Sequence, residues 1–187
     1  MHGDGSFQHS AFHFPGLTQI FLDFFPVHHR LADSPVNGRY SRRLYEAGEP
    51  FPVDHPLGAA LMVRSETLAR VGSFDERFFM YCEEIDLCRR IKATGWEIYC
   101  VPQAKIVHLV GQSTGQFREQ MFVALWRSRF LMFEKHKGAT FRWAAQRLVG
   151  LGLWAQTCRA RAAYRHGDIT AADLDARLAA YREVAAL

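Results

Sequence analysis

The sequence has no run of eighteen apolar residues, so it offers no segment able to cross a bilayer as a helix. Its first ten residues, MHGDGSFQHS, are polar and lack the apolar stretch of a secretory leader. Cysteine is scarce. Cys82, Cys88, Cys100 and Cys158 form no Cys-x-x-Cys pair, which argues against a zinc knuckle. Cys82, Cys88 and Cys100 lie in apolar surroundings, the pattern of buried thiols in a reducing compartment, so a cytoplasmic location is expected. No internal repeat or low-complexity tract is present, which excludes solenoid and array architectures. Neither sign of charge dominates: 23 Lys and Arg face 19 Asp and Glu, for a net charge of +4. Such mild basicity suits a nucleotide phosphate or an anionic membrane surface and selects neither. Aromatic residues are not interleaved with basic ones on a predicted sheet, so no nucleic-acid partner is expected.

What is present suits a packed domain. The chain has 187 residues, 49% of them apolar and 13% aromatic, enough for one core. Leu17 to Val27 reads as a short helix stopped by Pro26. His28 to Pro56 reads as a long loop, with four prolines and a basic cluster of Arg39, Arg42 and Arg43. Ala59 to Val63 is a compact apolar run, predicted as a buried strand. A two-turn helix follows, capped by Ser65 and closed by Gly72. After an aromatic loop, Phe74 to Tyr81, a helix starts near Cys82. Its apolar stripe is Ile85, Cys88 and Ile91, and Gly95 closes it. Trp96 to Val101 and Lys105 to Val110 are predicted as short strands, the second carrying His108. From Gln116 onward the texture is helical, broken at Gly138.

Chemistry is concentrated in two places. Glu83, Glu84 and Asp86 open the helix after the aromatic loop. Acids favour any helix start through the macrodipole, and that is the plain alternative. A crowded, partly buried carboxylate beside like charges can instead have its pKa raised and act as a base. His108 ends an apolar run before the small-residue loop Gly111–Gly115. A lone histidine is often structural. At a strand end before such a loop it can also meet a divalent metal or a phosphate. The loop offers backbone N–H groups to phosphate, and no strand–Ser–helix elbow accompanies it. Phe141 to Arg165 is a basic amphipathic helix with Trp143 and Trp154, fit either for packing on the domain or for peripheral contact with a membrane surface.

These residues stand in an ordered series: Gly58–Arg64, Val71–Tyr81, Glu83–Arg90, Gly95–Pro102, Ala104–His108 and Gly111–Ser113. The series resembles the family 2 glycosyltransferases, inverting enzymes of GT-A fold, and among them the bacterial rhamnosyltransferase-like members. The likeness covers about Gly3 to Gly138. It implies an α/β chain: a partial, Rossmann-like GT-A fold with short strands, followed by C-terminal helices. It implies transfer of a sugar from a nucleotide diphosphate sugar to an acceptor hydroxyl, in cell-surface polysaccharide or glycolipid assembly at the inner face of a membrane. The second acid of the pair, the general base, falls on Glu84, with Glu83 beside it and Asp86 as the alternative base. Substrate contacts fall on Gly58, Trp96, Gln112, Ser113 and Thr114, and a metal contact on His108.

Two departures stand out: Glu84 replaces the usual Asp, one methylene longer, and Gly115 replaces a basic loop residue. The Asp-x-Asp motif of the family is not found before Gly58, where Asp23, Asp33 and Asp54 stand alone. The expectation is therefore an acceptor and catalytic half over 1–138 and a helical extension over 139–187. Magnesium or manganese is expected only together with the Asp-x-Asp half. The rival reading is a truncated, non-catalytic module that binds a partner chain or a membrane.

Overall fold

The computed structural model describes every residue except 26, 29, 30, 32 and 110–116. It is α/β and mostly helical, with a few very short strands. The elements in chain order are β1 (Ala11–Phe12), α1 (Leu17–Phe24), a 3-10 turn (Pro35–Asn37), α2 (Arg42–Glu46), β2 (Phe51–Pro52), β3 (His55–Pro56), α3 (Ser65–Val71), α4 (Glu83–Ala93), β4 (Tyr99–Cys100), α5 (Arg118–His136), α6 (Ala139–His166) and α7 (Ala171–Ala185). They group into two compact units. One comprises Met1–Pro15, His28–Phe78 and Cys82–Gln112, the other Gly16–Val27, Phe79–Tyr81 and Ser113–Leu187. The break at Gly138 falls between α5 and α6, inside the second unit.

In the first unit two antiparallel pairs, β1 with β3 and β2 with β4, frame the core. Further backbone bonds lengthen each pair: Leu57 N–H donates to Ser10 O at 2.7 Å, and Val53 N–H to Ile98 O at 2.8 Å. The core is Ala11, Phe51, Val53, Leu87, Cys88, Ile91 and Ile98. Three of these lie on α4 because apolar residues three and four apart share one helix face. Burying Leu87 and Ile91 contributes about 1.5–3 kcal/mol each. The helix stops where expected: Gly95 adopts φ +86°, which an L side chain resists, and its N–H donates to Lys92 O at 3.0 Å.

Four expectations are corrected here. Ala59 to Val63 is not a buried strand. Leu61 and Val63 do pack on the core, but Met62 is 97% exposed, and the segment joins no ladder. Residues 105–109 are not a strand either. They pair instead with the N-terminus, where the Met1 ammonium donates to Ile106 O and His108 N–H donates to Met1 O, each at 2.9 Å. The supposed loop from His28 to Pro56 holds α2, β2 and β3. The Trp96 to Val101 strand shrinks to Tyr99–Cys100.

The second unit is helical. α1 packs on α6, and α6 and α5 each pack on α7. α1 ends at Phe24, with Phe25 extended ahead of the proline in the sequence. The Phe24 ring stacks on Trp126, with centroids 5.0 Å apart. It lies so close to Gly152 that a Cβ there would sit 2.2 Å from the ring. Asp23 pairs with Arg129, and Arg159 donates to Phe24 O at 2.6 Å. No helix among the described residues is long and apolar enough to cross a membrane.

Candidate active site

The acids open α4 from an unusual backbone. Tyr81 and Cys82, directly before Glu83, have φ of 69° and 66°. Non-glycine residues pay for that left-handed region with about 1–2 kcal/mol each. Such strain collects at functional sites, and here it immediately precedes the first turn of α4.

Glu84 borders the core. It stands four residues before Cys88, which is fully buried, so its stem follows the buried row of the helix. Its other neighbour is Gly58: a Cβ placed on that glycine would lie 3.5 Å from Glu84 Cγ and Cδ. The structure therefore brings together two residues that the sequence singled out separately. Burial pushes the Glu84 carboxyl up to about 7; the Glu83 charge adds to this, and the N–H groups of Glu84 and Ile85 oppose it. A carboxyl with such a pKa has the proton affinity that general acid–base catalysis near neutral pH requires. Glu83 is half-buried, and its Oε2 is buried without a hydrogen-bond partner among the described residues.

Asp86 lies elsewhere. Its side chain is fully buried, and Arg90 Nε donates to its Oδ2 at 2.9 Å. The same guanidinium donates to the Val71 and Ser73 carbonyls, the latter at 2.7 Å, beyond the last turn of α3. Asp86 thus fixes the arginine that ties α4 to the end of α3. Trp96 is half-buried and packs against the core of the first unit.

His108 is half-buried, with Nδ1 3.2 Å from the Gln8 side-chain amide nitrogen. The donor and acceptor roles in this contact follow the imidazole tautomer. No group of three His, Cys, Asp or Glu among the described residues could hold a metal ion. The described residues, His108 included, therefore do not form a metal site by themselves. Gln112, Ser113 and Thr114 lie outside the described residues.

Sequence reasoning missed Gln8, whose role shows only through its partner 100 positions away. It also missed His55 beside Asp54. His55 is buried between the Phe12 and Phe14 rings, and burial drives its pKa down to about 4, while Nδ1 bonds the Pro56 carbonyl oxygen at 3.0 Å. No local signal separated it from the chain's other histidines.

No family model matches the chain, and no solved structure matches it. Relatives of known activity do. The N-acetylglucosaminyl-diphospho-decaprenol L-rhamnosyltransferase of Mycobacterium tuberculosis is 31% identical over 157 residues, which is 79% of this chain and 49% of that protein. This chain is a rhamnosyltransferase relative. Rhamnosyltransferase WbbL of Escherichia coli is 32% identical over 97 residues, 52% of this chain and 33% of that protein. The low-salt glycan biosynthesis hexosyltransferase Agl10 of Haloferax volcanii is 32% identical over 81 residues, 43% of this chain and 26% of that protein. This rhamnosyltransferase relative spans about half the length, or less, of the curated proteins it matches.

Proposed function

We propose that the chain is the acceptor-side, catalytic portion of an inverting, family 2-like glycosyltransferase of GT-A architecture. It takes a sugar from a nucleotide diphosphate sugar and places it on the hydroxyl of a lipid-linked acceptor. One observation carries this reading: Glu84 is held against Gly58 at a strained helix start, with its carboxyl raised to about 7.

The chemistry follows from that carboxylate. Glu84 accepts the acceptor hydroxyl proton as the oxygen attacks the anomeric carbon. The new C–O bond forms on the face opposite the diphosphate, the bond to the diphosphate breaks, and the nucleoside diphosphate leaves with the electron pair. Configuration inverts because attack and departure are in line. Glu83, beside the base, adds a like charge that sustains its proton affinity. Asp86 is a positioning residue, acting through Arg90. His108 holds the diphosphate or its metal, and Gln112, Ser113 and Thr114 follow it in the chain. Magnesium or manganese would neutralise the departing diphosphate where an Asp-x-Asp half supplies carboxylates, and none of the steps above passes through it.

The test joins this chain to the portion of a rhamnosyltransferase relative that it does not span. Transfer is then measured from a panel of nucleotide diphosphate sugars to a diphospholipid-linked sugar. Glu84→Gln is expected to cut turnover about 10²–10⁴-fold while donor binding persists. Unchanged turnover in that variant would refute the assignment. Absence of transfer with every donor would favour a non-catalytic module.

A further inference from the structure

α6 has a face that the fold does not use. Its buried residues, Ala145, Val149, Gly152, Leu153 and Ala160, lie on one side. At about 100° per residue, Trp143, Arg147, Leu151, Trp154, Arg161 and Arg165 fall within an arc of about 80° on the opposite side. All six are exposed, with Trp143 at 61%, Leu151 at 53% and Trp154 at 66%. The 28-residue helix contains no acidic residue. None of these three arginines makes an ion pair among the described residues, and Arg147 rests 5.8 Å from the Trp143 ring centroid. Trp154 and Arg161 also line a groove of about 420 Å³ against α7.

Two exposed tryptophans interleaved with unpaired arginines are unfavourable toward water and favourable toward one kind of surface. Indole rings prefer the headgroup layer, where the ring is dry and its N–H is wet. Guanidinium groups pair with lipid phosphates in a two-pronged geometry. We propose that α6 docks on an anionic lipid bilayer, with Trp143, Leu151 and Trp154 in the headgroup layer and Arg147, Arg161 and Arg165 against lipid phosphates. This deepens the proposed function and rests on it for the purpose of the contact, which is to hold the enzyme where a lipid-linked acceptor resides. The binding itself is independent of catalysis.

The experiment is vesicle co-sedimentation of the full chain, with phosphatidylcholine alone and with added phosphatidylglycerol. Binding is expected only to the anionic vesicles, with a blue shift of tryptophan emission. Raising salt from about 0.1 to 0.5 M should weaken it, since charge attraction is screened over a shorter length. The triple change of Arg147, Arg161 and Arg165 to Gln is expected to lower partition about 100-fold, each arginine being worth roughly fivefold near such a surface. W143A/W154A should abolish the blue shift, with circular dichroism confirming intact helices. Equal binding to neutral vesicles, indifference to all these changes, or no binding at any composition would overturn the proposal. So would a salt-resistant dimer that W143A/W154A disperses. Loss of docking with transfer to a water-soluble acceptor retained would separate this contact from the catalytic reading.

Discussion

Glu84→Gln should make the folded chain more stable at neutral pH while removing its chemistry. Glutamine keeps the shape of the side chain and cannot ionise. In the folded chain the Glu84 carboxyl titrates near 7, against an ordinary 4.5. The folded value lies above the unfolded one, so the neutral acid is the form that folding favours. Its stabilising contribution is whole below the ordinary value and is lost as pH rises through the folded one. Each pH unit between the two is worth about 1.4 kcal/mol, so the wild type loses about 3 kcal/mol at most across that window. The glutamine variant lacks this slope. Urea unfolding of both proteins at several values between pH 4.5 and 8 measures it directly, and the stability gap should open in the variant's favour as pH rises. Parallel curves across that range would show that Glu84 is not desolvated, and the assignment of the base would lose its physical ground. Turnover adds a second reading. In the wild type it should rise with unit slope below about 7 and flatten above, as expected when a carboxylate must be ionised to act.

Other residues answer to separate measurements. Asp86→Ala leaves Arg90 without its buried partner and should cost about 3–5 kcal/mol in denaturant unfolding; a loss under about 1 kcal/mol would remove Asp86 from the tie between α4 and α3. Gly152→Val must displace the Phe24 ring, and overpacking of that kind costs about 1–3 kcal/mol. A lowered melting temperature and lost Phe24–Trp126 packing, read from near-ultraviolet dichroism, check it. His55 has its folded pKa near 4, below the ordinary 6.5, so its contribution is full above the ordinary value and fades as pH falls through the folded one. His55→Phe keeps the aromatic stack and should move the acid-unfolding midpoint to lower pH; an unchanged acid limb would contradict that.

The helices were legible because each carries its own evidence. α4 has its acids, its apolar row and a closing glycine within one window, and α3 ends on Gly72 with φ +81° as its sequence suggests. The strands were not, because each is two residues long and is defined by a partner far away: Phe51 faces Cys100, and Ala11 faces Pro56. No local period announces such a pair. Ala59 to Val63 misled for the opposite reason. Its alternation is real, Leu61 and Val63 inward and Met62 outward, but alternation describes an extended chain and not a ladder. The site was half legible. The sequence marked Glu84 and Gly58, whereas their contact and the Gln8–His108 pair needed the fold.

Three acids that look equivalent in the sequence are divided by helical geometry. Glu84 and Asp86 are two residues apart, so they point about 200° away from each other around α4. One row runs from Glu84 to Cys88, whose thiol burial and the Glu84 charge push up to about 12. The other runs from Asp86 to Arg90 and ends in a closed ion pair. A carboxylate whose charge is already matched by a guanidinium has little appetite for a proton. One that faces apolar neighbours and a second carboxylate has a great deal. In the proposed mechanism the division of labour between base and support follows from which i to i+4 partner each acid meets, a thiol or a guanidinium. Changing that partner should change the role: Cys88→Arg would supply Glu84 with a cation, pull its carboxyl back toward the ordinary range, and flatten the pH dependence of both stability and transfer near neutrality.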